Sequence, residues 1–257
     1  MIPTYPRTYH IGDSRMDPGM QNPEGFPFSH LIGKYLVIEE KVDGCQVGVF
    51  FDENMDIRCF TRNTYITGHF PRQKHLNMFL RWCQDRQDAL YDVLENRYVL
   101  YFEWAYAVHT IYYDSLPSYA LECDLFDRQT GKFVSTERRL KILSGLALDH
   151  VHVLTTLKYD GKYDLKGLMC PSHYISSNAK DSLLPTPMRS TDKDMIADIL
   201  KYLVMDSIPE GLYIKVEDDQ HVLERFKWIR KVFVDTILKS KSHWIDRLLI
   251  PNGLKHD

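Results

Sequence analysis

Short runs rich in branched and aromatic residues, separated by polar turns, fill the first part of the chain. Residues 35–39 (YLVIE) and 46–51 (QVGVFF) flank a turn at Asp43-Gly44, and 56–61 (DIRCFT) resumes the pattern after the polar break DENMD. This patterning predicts successive antiparallel strands. Between residues 74 and 96 the period lengthens. Leu76, Phe79, Leu80, Cys83, Leu90, Val93 and Leu94 fall mainly on one face at helical spacing, which predicts a helix with a charged outer face. Residues 98–105 (YVLYFEWA) and 119–127 (YALECDLFD) read as strands, and STERRLKILSGL reads as a helix from about Thr136. From Asp160 to Pro187, Gly161, Gly167, Pro171, Pro185 and Pro187 punctuate the chain, so loops with short elements are expected. A further helix is predicted over 191–206, a hairpin over 212–217 and 222–229, and an amphipathic helix near 232–249. No repeat, low-complexity tract or interdomain linker interrupts this order, which fits one principal α/β (α+β) domain, mainly antiparallel sheets flanked by helices.

At 257 residues, with 44% hydrophobic and 26% charged positions, the chain buries a full core without disulfide or metal staples. No run approaches the roughly 18 apolar residues of a membrane span, and the first residues (MIPTYPRTYH) hold no apolar segment of the signal-peptide kind. A cytoplasmic location without membrane partners is the expectation. The five cysteines form no CxxC pair, which argues for reduced thiols and against a zinc site. Charge is uneven: the net −3 divides into −8 over residues 1–224 and +5 from Arg225 onward. A local basic surface of that kind holds polyanions, although a solvated helix face has the same composition.

Candidate chemistry begins at IEEKVDG, where Lys41 ends a strand ahead of Asp43 and Gly44. A lysine is a nucleophile only after losing its proton, so a reactive one needs burial or neighbouring cations to lower its pKa. Gly44 would let backbone approach a phosphate closely. In VLYFEWAY, alternation sets Val99, Tyr101, Glu103 and Ala105 on one face and Leu100, Phe102 and Trp104 on the other. Glu103 is then a carboxylate on a strand built for burial, costly unless it bonds a hydroxyl, an arginine or a metal. In VLERFKWI, Arg225 and Lys227 share a face and repel unless an anion such as phosphate joins them. Glu210 and Lys215 of EGLYIK stand on opposite faces by strict alternation, so Gly211 must bend or bulge the strand if both serve one site.

The ordered set EKVDG (40–44), CFTRN (59–63), FEW (102–104), CDLFD (123–127), EGLYIK (210–215) and RFKWIR (225–230) resembles motifs I, Ia, III, IIIa, IV and V of the covalent nucleotidyltransferases, the superfamily of ATP-dependent polynucleotide ligases and mRNA capping enzymes. The segments PRTYHI and YAVHTIYYDSLPSY and the ending KWIR resemble ATP-dependent RNA ligases, nearest the branch typified by the second RNA ligase of bacteriophage T4. The resemblance implies a nucleotidyltransferase (ATP-grasp-like ligase) domain over 1–230 and a short basic helical extension over 231–257. It implies that Lys41 takes AMP from ATP as a lysyl phosphoramidate, that AMP passes to a 5′-phosphate end, and that a 3′-hydroxyl displaces it. Arg62 and Glu103 would hold the ribose and order substrate phosphate, and Glu40 would contact adenine. Glu210 and Asp43 would serve Mg²⁺ or Mn²⁺, and Lys215, Arg225 and Lys227 would gather on the α-phosphate.

Two positions depart from the family pattern. Cys123 stands where an aromatic residue usually stacks on adenine, which leaves Tyr119 or Phe126 as substitutes, and Arg225 stands where lysine is frequent. About 30 residues follow Phe226, too few for an OB-fold, which disfavours capping enzymes and typical DNA ligases. Nucleic-acid contact then falls to the core surface and the basic end, with His109, Tyr112, Tyr113, Lys239, Lys241, His243 and Arg247 as candidates. A structural role for His109 and the two tyrosines is the competing reading. RNA ends are the expected partner; DNA or mixed RNA/DNA ends, a non-catalytic nucleotide- or RNA-binding relative, and a GTP-specific transferase are the alternatives.

Overall fold

In a computed structural model, residues 3, 5–14, 25–68, 74–179, 201–204, 206–240, 247 and 249–255 are described. Strands β1 (Tyr9–Ile11), β2 (Gly25–Phe26), β3 (Tyr35–Lys41), β4 (Cys45–Phe51) and β5 (Ile57–Thr61) precede helices α1 (Lys74–Gln84) and α2 (Gln87–Leu94). There follow β6 (Tyr98–Trp104), β7 (Ala120–Asp127), β8 (Lys132–Phe133), α3 (Thr136–Leu143), β9 (Asp149–His150) and β10 (Val153–Lys158). The hairpin β11 (Gly211–Glu217) and β12 (Val222–Ile229) leads into α4 (Lys231–Ser240). One sheet has the order β10-β3-β11-β12-β1-β2, and the other β5-β4-β6-β7-β8 with β9 beside β7. Both are mainly antiparallel; β1 runs parallel to β12 and β2, and β9 to β7.

Alternation decides which side of each sheet is apolar. On β3 and β11, Leu36, Ile38, Leu212, Ile214 and Val216 pack with Ile11, Leu31 and Phe226 on the outer side of the first sheet. On β4 and β6, Val47, Val49, Leu100, Phe102 and Trp104 pack under Leu76, Phe79 and Cys83 of α1 and Leu90 and Leu94 of α2. Burying these side chains is the main driving force for closing the helices onto the sheet, at about 1.5–3 kcal/mol for each large apolar residue. The remaining faces look toward one another across Phe50, Phe60, Tyr101 and Phe133, and there the charged residues of the strands collect.

Several expectations are corrected. The helix expected over 74–96 is two, because the polar stretch at Asp85 and Arg86 has nothing to bury and turns; α1 then lies over β5 while α2 lies over β4 and β6. The short parallel strands β1 and β2 lack an apolar run and left no periodic trace in the sequence. The final helix is described over Lys231–Ser240; residues 241–246 of the helix expected near 232–249 lie outside the described residues, and residues 249–255 lie as a non-helical strap that bridges Pro251 to Ala107 and Leu254 to Leu116. The helix expected over 191–206 falls mostly outside the described residues, of which 201 and 202 form a turn. Among the described residues no helix is long and apolar enough to cross a membrane.

Candidate active site

Between the facing sheets lies a cavity of about 720 Å³, within the roughly 300–1,000 Å³ usual for small-molecule sites. Lys41 enters it from the end of β3, opposite Gly211 on β11. A Cβ at Gly211 would stand 2.0 Å from the Trp228 carbonyl oxygen, so only glycine permits this close pairing. The Lys41 ammonium donates to Glu210 Oε2 at 2.8 Å. Glu210 lies one residue before β11, outside the reach of strand alternation. The bend expected at Gly211 is therefore not needed, and the hairpin's register shift falls at Val216/Glu217.

Asp43 is fixed by backbone donors: its Oδ2 accepts the N–H groups of Thr110 at 2.8 Å and Ile111 at 3.0 Å. Its own N–H donates to the Tyr113 hydroxyl at 2.8 Å, and the Tyr113 N–H donates to Asn252 Oδ1 at 2.9 Å. Asn252 in turn donates to the Ala105 carbonyl at 2.8 Å. The strap thus holds the loop that holds Asp43, a supporting role for Tyr113 and Asn252 that sequence reading missed. His109 is only 5% exposed, with Nδ1 3.8 Å from Asp43 Oδ1. His109 and Tyr113 belong to this inner support and Tyr112 is buried with Val108, Leu203 and Ile250, which corrects their candidacy as nucleic-acid contacts. Glu103 stands under the turn, accepting the Gly44 N–H. A Cβ at Gly44 would meet Glu103 Oε1 at 3.0 Å and the Trp104 carbonyl at 2.9 Å, so the close approach this glycine allows is to β6.

The electrostatics differ from expectation. Burial disfavours the Lys41 ammonium, but Glu210, Glu103 and Asp43 outweigh burial and raise its pKa above the ordinary value. The expected depression by cations is therefore corrected: the groups closest to Lys41 are carboxylates. Burial and the neighbouring Lys41 charge lower Lys227 instead. Burial raises Glu210 and Asp43, and it raises Glu103, with Glu210 and Asp43 adding and Lys41 opposing, to about 7. A carboxyl raised on folding is favoured protonated, so its contribution to stability is full below the unfolded pKa of about 4.3 and is lost as pH rises through about 7. Glu103→Gln, which mimics the protonated form, is expected to flatten that part of the stability profile. Denaturation midpoints from pH 4 to 8 check it, and an unchanged slope would contradict it.

A second cluster lies under the cavity floor. Lys215 Nζ bonds Glu39 at 2.8 Å and the Cys123 carbonyl at 2.7 Å, and sits 3.3 Å from Asp124. Arg225 reaches Asp124 at 3.4 Å, stacks 4.0 Å from the Phe133 ring and is 6% exposed. Arg139 of α3 is fully buried, 3.0 Å from Glu122 and 3.5 Å from Glu39, and also bonds the Cys123 carbonyl. Lys215 and Arg225 are thus consumed by Glu39 and Asp124 and do not line the cavity, which corrects the expectation that they gather on a bound phosphate. The sequence reading named neither Arg139 nor its acidic partners.

Lys227 and the exposed Arg62 do line the cavity, as do Glu40 and Cys123. Glu40 accepts the Ser172 hydroxyl and, at 2.9 Å, the His173 N–H. Cys123 sits where the β6–β7 ladder shifts register, a bulge that turns its side chain cavityward. Tyr119 and Phe126 do not replace the missing ring: Tyr119 packs on Trp104 and Tyr106, and Phe126 on Phe133. Among the described residues the phenol rings that line the cavity are Tyr5, Tyr9 and Tyr213. Lys239 is exposed on α4, while Lys241 and His243 lie outside the described residues; Arg247 bonds the His109 carbonyl. Among the described residues no three acidic, histidine or cysteine side chains converge to cage a metal ion.

Curated protein sequences yield no match. Among solved structures, the RNA ligase of Naegleria gruberi with pyrophosphate aligns at 15% identity and a TM-score of 0.45, covering 80% of this chain and 52% of that one. Variants of the same enzyme with ATP and manganese align at 14% identity over 81% of this chain and 53% of theirs, with a TM-score of 0.45, and at 12% over 92% and 63%, with a TM-score of 0.46. The chain therefore spans about half the length of the first of these ligases. Residues 34–229, a stretch that runs from the start of β3 to the end of β12, match the RNA ligase family, and the chain belongs to that family.

Proposed function

We propose that this chain is an ATP-dependent RNA ligase working through a covalent Lys41–AMP intermediate. The observation that carries the reading is the Lys41 ammonium inside the cavity, bonded to Glu210 at 2.8 Å with Lys227 alongside. Lys41 loses a proton and its Nζ bonds the α-phosphorus of ATP, while the bond from that phosphorus to the pyrophosphate oxygen breaks. AMP then moves to an RNA 5′-phosphate, and a 3′-hydroxyl displaces it.

The chain's own residues supply the setting. Paired with Glu210, Lys41 stays protonated and unreactive in the resting protein. Lys227 and Arg62 offer positive charge to phosphate oxygens, where charge-assisted contacts are strongest. Glu103, half protonated near neutral pH, can donate to or accept from a ribose hydroxyl. Glu40 already anchors the 172–174 loop and keeps acceptor capacity for an adenine amine. The donor set fits Mg²⁺ or Mn²⁺ held by one or two carboxylates together with phosphate oxygens and water, the habit of Mg²⁺, and not an all-protein cage. When bound by Glu210 and Asp43, such a cation would neutralise the carboxylates that retain the Lys41 proton and offset charge on the phosphates.

RNA carrying a 5′-phosphate and a 3′-hydroxyl, incubated with the protein, ATP and Mg²⁺ or Mn²⁺, is expected to give joined product. Joining is expected to fall steeply between about 50 and 200 mM salt, because each phosphate contact releases counterions, while AMP uptake by the protein changes far less. Absence of joining with RNA, DNA and mixed ends would contradict the reading.

A further inference from the structure

A row of side chains crosses the first sheet on its cavity face. Glu39 pairs with Tyr213, Tyr213 with Lys227, and Lys227 with His10 of β1. All four line the cavity. His10 belongs to none of the six sequence motifs, and it is 6% exposed.

Its hydrogen bonds fix its tautomer. Nδ1 lies 2.8 Å from Ser14 Oγ, and that oxygen accepts the backbone N–H of Ile229 at 2.8 Å. Among the described residues the buried Ser14 hydroxyl has no acceptor for its proton other than Nδ1, so it donates there and the ring hydrogen resides on Nε2. Among the described residues Nε2 has no hydrogen-bond partner. Buried donors in native proteins are almost always paired, so an unpaired one on a cavity wall marks a place for a ligand atom. Burial, with the charges of Lys227, Lys41 and Arg7, lowers the His10 pKa to about 4, and the ring is neutral at neutral pH. It therefore offers a donor without adding another repelling cation to Lys41, Lys227 and Arg62. An acceptor seated among those groups is an anion.

We propose that His10 is a substrate-binding residue that donates its Nε2–H to a phosphoryl oxygen held beside Lys227. The proposal rests on the nucleotidyl-transfer reading above. The oxygen belongs either to the nucleotide's phosphates or to the 5′-phosphate of the RNA end, and the two sources separate by experiment.

His10→Phe keeps a ring and removes the donor; His10→Gln keeps an N–H at a similar reach. Calorimetric titration of the full chain with ATP and with adenosine, and ¹⁵N NMR of the His10 ring, read the contact apart from turnover. For a nucleotide phosphate, His10→Phe is expected to bind ATP about tenfold or more weakly, as for loss of a hydrogen bond to a charged group. Adenosine binding stays unchanged, His10→Gln recovers most of the loss, and ATP raises the His10 pKa by opposing the lysine charges. For the RNA phosphate, ATP binding is normal and AMP transfer from pre-adenylated protein to a 5′-phosphate end falls by the same factor. Either pattern supports the proposal. Wild-type ATP binding together with wild-type transfer in His10→Phe overturns it. Should that variant not fold, the ring resonances of the wild-type protein decide: Nε2–H signals indifferent to both ATP and a 5′-phosphorylated RNA overturn it equally. Wild-type protein that neither binds ATP nor gains AMP removes the nucleotidyl-transfer reading itself, a failure distinct from loss of the His10 contact alone.

Discussion

Lys41→Arg is expected to leave the protein folded and unable to take up AMP, with self-adenylation reduced by at least about 10³-fold, as when an enzyme loses its nucleophile. Arginine is the informative replacement because it separates charge from nucleophilicity. Its guanidinium keeps a positive charge and can still bond Glu210, now 2.8 Å from the Lys41 ammonium, so the carboxylates of the site are not left uncompensated. It cannot be deprotonated in a protein and so cannot attack phosphorus. A thermal midpoint close to wild type, with no adduct, would assign the loss to chemistry. An arginine variant that retained a tenth or more of wild-type adenylation would show that the nucleophile lies elsewhere.

Asp124→Ala is expected to carry the largest stability cost. Asp124 has no exposed surface and faces Arg225 at 3.4 Å and Lys215 at 3.3 Å, with the Tyr5 hydroxyl donating to it. Removing it leaves two buried cations short of a partner, and breaking such a pair costs about 3–5 kcal/mol. At about 2–4 °C per kcal/mol for a chain of this size, the midpoint should fall by roughly 6–20 °C. Burial works against the Asp124 charge, but Arg225, Lys215 and Arg139 outweigh burial and hold the carboxyl well below its usual range. A carboxyl depressed on folding stabilises fully above its unfolded pKa of about 3.9 and loses that contribution as pH falls toward the folded value. Asp124→Ala should therefore also lack part of the wild type's acid sensitivity. A variant within 1 kcal/mol of wild type would mean that the cluster is not a stabilising unit.

What the sequence disclosed, and what it withheld, divides along contact distance. Lys41, Glu103 and Lys227 were legible because each sits in a short motif at the end or face of a strand whose alternation could be read directly, and Glu210, one residue before β11, through the motif EGLYIK alone. The same alternation placed Arg225 beside Lys227, correctly, yet misjudged its partner. The anion that meets Arg225, together with Lys215 across the hairpin, is Asp124, contributed by β7 about a hundred residues earlier, and no local pattern reports such a pairing. Arg139 is more opaque still. On α3 it is buried in line with Thr136 and Leu143, a position where helical periodicity alone would place an apolar side chain. A faint signal did exist in the acids of YLVIEE and ALECDLFD, which are costly on buried strands unless cations meet them. The Lys41 shift was misread for a related reason: the motif shows the lysine, while the carboxylates around it arrive from β6 and from the residue before β11. The strap at Asn252 acts on Asp43 through Tyr113, two contacts away, and has no motif of its own.

The most direct test of the central claim is the intact mass of the protein after incubation with ATP and Mg²⁺, beside GTP and beside Lys41→Arg. The expected result is an AMP-sized gain with ATP that pyrophosphate reverses and that the Lys41→Arg protein does not show. No gain with either nucleotide, in folded protein first stripped of any bound AMP, would contradict covalent nucleotidyl transfer by this chain.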